Sequence, residues 1–418
     1  MNHFDYRDGA LHCEGVALAA IAAAVGTPVY VYSTATLERH VQVMREAFQP
    51  TPVLIAFAVK ANANIAVLAT LAKQGAGADT VSAGEIQRAL KAGVPPERII
   101  FSGVGKTDDE LEFALAQGIH QINVESAQEL ERLGEIAGRR GARAALAIRV
   151  NPAIGAGGHQ KISTGGADAK FGVSAADALA LYARAHAHPH LDPKGLAVHI
   201  GSQIRDLAPL QSAFKTLRTL TEKLRAQGLN VARLDLGGGL GVPYFNEPDP
   251  PSPAAYAAMA KETLGGLDVD LAIEPGRLIA ANAGVLVTRV IRIQARDDRR
   301  FLVLDAGMSD LIRPAMYDAF HDLRPVRLSQ AAPEPFDLVG PICETGDTFA
   351  RGRMLAPLQP GDLCAFMTAG AYGAVMASTY NARPLVPEVL VRGARFDIVR
   401  RRVSVDEQIA LEALPDFI

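Results

Sequence analysis

From about Thr34 to Ala281 the chain repeats one pattern of apolar and polar positions. A short apolar run ends in small or polar residues. A stretch with apolar residues three and four apart follows, often closed by glycine. The runs predict strands at Val53–Lys60, Ala78–Ser82, Ile99–Gly103, Gln121–Glu125, Ala145–Asn151, Gly195–Ser202, Arg233–Gly238 and Ala272–Arg277. The stretches between them predict helices, most clearly at Ile65–Gln74, Ala83–Ala92, Asp108–Gln117, Ala127–Arg139 and Leu207–Gln227. Eight strands alternating with helices point to a parallel (β/α)8, TIM-like barrel. An open doubly wound sheet is the alternative, and it needs fewer strands of this kind.

After Asn282 the texture changes. Val285–Gln294 alternates, and short runs follow at Arg300–Asp305, Phe336–Val339, Leu363–Met367 and Glu388–Arg392, punctuated by Gly and Pro. That predicts a second, all-β domain of sandwich or Greek-key type. The run TPVYVYS, Thr27–Ser33, precedes the barrel and is also strand-like. The expected division is therefore a barrel over 34–281 and a discontinuous β domain made of 1–33 and 282–418.

Composition narrows the classes. The chain has 418 residues, 49% of them apolar, with a formal charge of -3. It carries no basic stripe or polybasic tail, so nucleic acid is not an expected partner. Three cysteines argue against a disulfide framework and fit a reducing compartment. The first residues do not read as a secretory signal, and no apolar run is long enough to span a bilayer. A cytoplasmic protein is expected.

The strand ends carry the chemistry. In a barrel the C-terminal ends of the strands share one mouth. Here those ends present Lys60, Ser82, Ser102, Glu125, Arg149 with Asn151, His199 with Ser202, Gly237–Gly239, and Glu274 with Arg277. Lys60 closes an apolar run, VLIAFAVK. It either snorkels into water or is held where its amine reacts. The run LDLGGGLG, Leu234–Gly241, could be a tight turn or a backbone cradle for an anion. It follows strand seven, and EPGR, Glu274–Arg277, follows strand eight, where barrels often bind phosphate. A lysine, a phosphate site and an acid at one mouth suggest pyridoxal 5'-phosphate. The alternating histidines His186, His188 and His190 could chelate a metal, but they precede strand six, at the wrong end of the barrel. They read as a solvated loop, and no metal is expected. The Gly-rich loop Gly155–Gly166 reads equally as a mobile lid or a disordered excursion.

Several ordered segments carry a resemblance: PVYVYS, AFAVKANAN, ISTG with KFG, HIGSQ, DLGGGLG, EPGR, DAGMSDLIRPAMY, GPICETGD and GAYGAVMASTYN. Together they resemble the fold III, alanine-racemase-type pyridoxal-phosphate enzymes. Within that class the RPAMY and CET segments resemble the diaminopimelate decarboxylases of the ornithine/lysine/arginine decarboxylase group. The resemblance implies decarboxylation of meso-diaminopimelate to L-lysine and carbon dioxide, the last step of lysine biosynthesis. It implies that Lys60 joins the cofactor covalently and that His199 stacks on its ring. Glu274 would face the pyridine nitrogen. Ser202, Gly237, Gly238, Gly239 and the backbone at Pro275, Gly276 and Arg277 would surround the phosphate. Arg277, Arg313, Tyr317 and Glu344 would hold the amino-acid substrate, Tyr372 would touch both cofactor and substrate, and Cys343 would be the proton donor. A homodimer with active sites shared across the interface is implied as well. Three rival activities remain: decarboxylation of another basic amino acid (ornithine, lysine, arginine or carboxynorspermidine), racemisation, and non-catalytic cofactor carriage. Arg313 speaks against a simple diamino acid, which has no distal carboxylate to meet it.

Overall fold

The computed structural model describes residues 2–155, 164–166, 169–245 and 248–418. Two compact units divide the chain. One holds Glu38–Pro243 and Pro248–Ile279; the other holds the described residues of 1–37, Tyr244 with Phe245, and Ala280–Ile418.

The first unit is a closed barrel. Its strands are β1 (Val53–Ala58), β2 (Gly77–Thr80), β3 (Ile99–Phe101), β4 (Gln121–Val124), β5 (Ala144–Asn151), β6 (Leu191–Val198), β7 (Arg233–Asp235) and β8 (Asp270–Ile273). Each pairs in parallel with the next, and β8 returns to β1 through Leu271 opposite Val53. The doubly wound alternative is thereby excluded. Helices Asp108–Gln117 and Ala127–Arg139 stand at the expected residues, capped by Thr107 and Ser126. Helices Ala175–Ala187 and Pro253–Leu264 are also present.

Seven of the eight strands end earlier than expected, and only the Asn151 end is as read. At the end of β2 the polar residue leaves the ladder to cap the next helix. Ser82 is the N-cap of helix Ala83–Lys91, accepting from the Glu85 amide. Asn64 caps Ile65–Lys73 in the same way, accepting from Ala66. β6 instead begins four residues early. It runs through Pro193 at a register shift against β5, and a Cβ on Gly195 would lie 1.9 Å from the Arg233 carbonyl oxygen.

Inside the barrel, Leu54, Ala56, Ile100 and Ala272 form an apolar cluster. Strand side chains repeat every second residue, so the next inward position on β3 is Ser102 and on β8 is Glu274. The barrel floor is apolar and its mouth is polar because one strand face changes composition along its length.

The histidine run is not a solvated loop. His188 and His190 are half-buried, with ring centroids 5.9 Å apart, edge to face. They pack on helix Ala127–Arg139, where Gly134 and Gly138 leave room. A Cβ at Gly134 would meet His188 at 2.7 Å, and one at Gly138 would meet His190 at 3.1 Å.

The second unit is mostly sheet. Strand Val29–Ser33 lies antiparallel to Gly284–Arg296 and parallel to Glu388–Arg392. Gly284–Arg296 also pairs with Arg299–Leu304 and Leu363–Phe366, and Glu334–Val339 with Thr348–Leu355 continues the sheet. The alternation in VYVYS is used on both faces. Val29 and Val31 join a core with Leu11, Cys13, Ile21, Val285, Val287 and Met367. Tyr30 and Tyr32 point the other way and are satisfied by Asp310 O (2.7 Å) and the Glu388 carboxylate. No helix among the described residues is long and apolar enough to cross a membrane. Ile162, Ser163 and most of the Gly155–Gly166 loop lie outside the described residues, as do Asn246 and Glu247.

Candidate active site

β1 stops at Ala58, and Val59–Ala61 make one 3-10 turn. Lys60 is therefore the centre of a turn at the barrel mouth rather than the last residue of a buried strand. Its Nζ donates to Asp79 Oδ2 at 2.8 Å. The Asp79 side chain is wholly buried, and its Oδ1 has no hydrogen-bond partner. The amine is thus held, and the bland reading in which Lys60 simply reaches into water does not describe it.

Two further carboxyls are buried beside it. Glu274 accepts from Ser102 Oγ at 3.4 Å. Asp235 accepts from Asn123 Nδ2 (3.1 Å) and from the Gly237 amide (3.0 Å). Asn123 also donates to Ser102 (3.1 Å) and accepts from Gln121 (2.9 Å). Burial, then the neighbouring Asp235 and Asp79, push the Glu274 pKa well up, against the opposing pull of Lys60. Burial raises Asp235 as well. Sequence reasoning missed Asp79, Asn123 and Asp235. Asp79 and Asp235 could have been found as acids inside otherwise buried strands, a costly placement without a purpose.

His199 is held as a neutral ring. The Gly238 amide donates to its Nδ1 at 3.1 Å, which leaves the ring proton on Nε2. Burial, then Lys60 and Arg149, depress its pKa far below the usual value. The glycine run works first through close packing. A Cβ on Gly237, Gly238 or Gly239 would lie 2.2, 2.1 or 2.4 Å from the carbonyl oxygens of Val198, Glu274 and Gly201. Gly237 and Gly239 also adopt φ of 65° and 110°. The Gly237 and Gly238 amides are committed to Asp235 and His199, so these two organise the mouth. Arg277 donates to Ser202 Oγ (3.2 Å), and both sit beside this run in the barrel unit. Pro275 accepts from the Ala58 amide at 3.3 Å, and Gly276 begins the turn that leads into the short helix Arg277–Ala280. Arg149 pairs with Glu125 at 2.7 Å and lies over the Phe171 ring at 4.9 Å.

A cavity of about 210 Å³ opens here, lined among others by Lys60, Ser102, Arg149, Phe171, His199 and Glu274. Its donor set tests whether pyridoxal phosphate fits. Asp79 and Glu274 lie about one amine, a third buried carboxyl, Asp235, stands beside Glu274, and one Asp79 oxygen is unmatched. A ring that brings its own protonated nitrogen and reacts with an amine supplies the missing positive charge. The residues fit the group.

The remaining predicted residues lie in the sheet unit and group separately. Cys343 and Glu344 are exposed on the turn after Glu334–Val339, while Cys13 and Cys364 are buried. Arg313 is buried at the start of the helix Arg313–Tyr317, which also carries Tyr317. Its Nη1 lies 2.8 Å from His321 Nε2, and its guanidinium is 5.1 Å from the Tyr244 ring centroid. His321 Nδ1 sits 3.0 Å from Met367 O, so the ring donates there and accepts from Arg313 at Nε2. His321, not foreseen from the sequence, holds the guanidinium without neutralising it. Tyr372 is half-buried with φ of 55°, an uncommon conformation for a tyrosine and one that recurs at functional sites.

Comparison with known proteins agrees with this chemistry. Residues 34–281 match the family model described as pyridoxal-dependent decarboxylase, pyridoxal binding domain. The diaminopimelate decarboxylase of Zymomonas mobilis is 49% identical over 97% of this chain and 97% of that protein. The crystal structure of the Helicobacter pylori diaminopimelate decarboxylase complexed with L-lysine superposes with a TM-score of 0.91 at 40% identity, covering 94% of this chain and 98% of that one. The M. jannaschii diaminopimelate decarboxylase in co-complex with L-lysine gives 0.95 at 32% identity over the whole of both chains. On the match of its barrel and the full-length similarity of its relatives, the chain belongs to the diaminopimelate decarboxylase family of pyridoxal-dependent decarboxylases.

Proposed function

We infer that this protein is a pyridoxal-phosphate-dependent decarboxylase that converts meso-diaminopimelate to L-lysine and carbon dioxide. The observation that carries the reading is Lys60 held by Asp79 in a mouth short of positive charge. The naming of full-length relatives as diaminopimelate decarboxylases supports the substrate.

Bound pyridoxal phosphate would supply the electron sink for the pair left at the α-carbon when carbon dioxide departs. Lys60 would hold that group covalently, and Asp79 holds the lysine amine at the mouth. Glu274 would face the ring nitrogen and stabilise its positive charge, gaining a cation its burial otherwise lacks. His199, neutral and fixed by Gly238, would cover one ring face. Ser202, the Gly237–Gly239 run and the backbone of Pro275, Gly276 and Arg277 would surround the phosphate. Arg277, Arg313, Tyr317, Glu344 and Tyr372 would hold the substrate. Arg313 would meet the distal carboxylate and Glu344 the distal ammonium. Cys343 would give its thiol proton to the α-carbon and recover one from solvent, so one S–H bond breaks as one C–H bond forms. Cys343 would act from the other subunit of a homodimer, inside the cell, on a small amino-acid substrate.

Release of carbon dioxide from meso-diaminopimelate, lysine and ornithine tests this. Release from meso-diaminopimelate alone, with lysine as product, is expected. Comparable release from lysine or ornithine would overturn the substrate assignment.

A further inference from the structure

The turn that carries Cys343 is fixed by side chains to which the proposed reaction gives no role. It is a tight turn. The Glu344 amide donates to Ile342 O (2.8 Å), and the Asp347 amide to Glu344 O (3.0 Å). The Asp347 carboxyl is buried and takes amides from two segments, Ile342 through Oδ2 and Met308 through Oδ1, each at 2.6 Å. Gly307 and Gly340 pack against it; a Cβ at Gly340 would lie 2.3 Å from its Oδ2. The peptide before Cys343 is therefore anchored to the unit's interior.

The next amide, that of Cys343 itself, donates 2.8 Å to Asn381 Oδ1. Asn381 belongs to the loop Ser378–Ala382. That loop is tied down by the Ser378 amide on Ser309 O at 2.8 Å. Asn381 has φ of 58°, a left-handed conformation that asparagine tolerates better than most residues. Its neighbour Tyr380 feels the Glu344 carboxylate, which raises the phenol pKa above its ordinary value. One loop thus grips the other through the Asn381 side chain and the Cys343 amide.

We propose that Asn381 is a positioning residue for the reaction: its side chain sets the backbone of Cys343. This rests on the assignment of Cys343 as proton donor. Asn381 is the better probe than Asp347, because it is exposed and its loss does not open the interior. A proton donor displaced by an ångström loses rate steeply, whereas substrate affinity set elsewhere is spared.

The experiment compares cofactor-loaded wild type with Asn381→Gly, Asn381→Asp and Cys343→Ala. Glycine keeps the left-handed backbone and removes the acceptor; aspartate restores an acceptor. Because the other two cysteines are buried, the rate of iodoacetamide alkylation reads Cys343 independently of turnover. Asn381→Gly should lower kcat about tenfold or more with KM nearly unchanged, and should alter the alkylation rate. Asn381→Asp should recover most of both. Wild-type kcat and alkylation in Asn381→Gly would overturn the role of Asn381. Failure of aspartate to rescue would do the same. Full activity in Cys343→Ala with altered alkylation in Asn381→Gly would instead sink the proton-donor assignment and leave the grip standing.

Discussion

The barrel mouth and the Cys343 turn are built on opposite principles. At the mouth, Lys60 is held by Asp79, while Asp235, Glu274 and His199 are fixed by Asn123, Ser102 and the Gly237 and Gly238 amides in a buried, charge-dense cluster. At the turn, Cys343 and Glu344 project from an exposed loop, and only the backbone beneath them is anchored. The first arrangement tunes protonation: burial pushes the Glu274 pKa up and that of His199 down. The second tunes placement and leaves the side chain open to meet something else. A site that stores charge must be dry, whereas a group that delivers a proton to an incoming substrate must be reachable.

The comparison breaks most visibly at the proton donor. Cys343→Ala should keep bound cofactor, read by its visible absorbance, while turnover falls by about two orders of magnitude or more. If the donor serves the other subunit, mixing Cys343→Ala with Lys60→Ala protein should restore some activity. No restoration after verified subunit exchange would place the two groups on the same chain's reaction.

Substrate selection comes next. Arg313→Ala should cut kcat/KM on meso-diaminopimelate about ten- to a hundredfold, the worth of one charge-assisted pair, with cofactor absorbance unchanged. An equal loss on substrates lacking the distal carboxylate would show that Arg313 only supports the fold with His321 and Tyr244.

Gly134→Ala tests packing that belongs to neither region. Its Cβ would press on His188 at 2.7 Å, so a loss of about 1–3 kcal/mol in stability is expected, measured by urea unfolding. Unchanged stability would mean that the histidine pair can move aside.

The smallest effect concerns pH. Burial raises the Glu85 pKa to about 7, from an ordinary value of 4.5, partly offset by the Val81 amide that donates to it. A carboxyl with a raised pKa in the folded chain stabilises fully below its unfolded value, and that contribution is lost as pH rises toward 7. Glu85→Gln should flatten the stability curve between about pH 4.5 and 7 and stabilise the protein at pH 8. A curve parallel to wild type would refute the assignment.

The barrel was legible because its strands and helices differ in hydrophobic period, and because glycines and caps mark the joints. Lys60, His199, Glu274 and Arg149 could be read from strand ends alone. One strand end was overextended for a physical reason: Ser82 looks like a continuation of strand texture but serves as a helix cap. Asp79 and Asp235 were legible only as acids in buried strands; which groups they meet is set by neighbouring strands that no local pattern encodes. Asn381 escaped because the folded sheet brings it to Cys343 across 38 residues of chain. His321 stands only eight residues from Arg313, but nothing in that stretch marks it as a guanidinium partner.

The central claim is that Lys60 is the residue that binds the cofactor. Incubation with pyridoxal phosphate, reduction with borohydride and peptide mapping test it directly. Bleaching of the visible band and a single cofactor adduct on the peptide containing Lys60 are expected. An adduct on another lysine, or a stable visible band in Lys60→Ala, would contradict the claim.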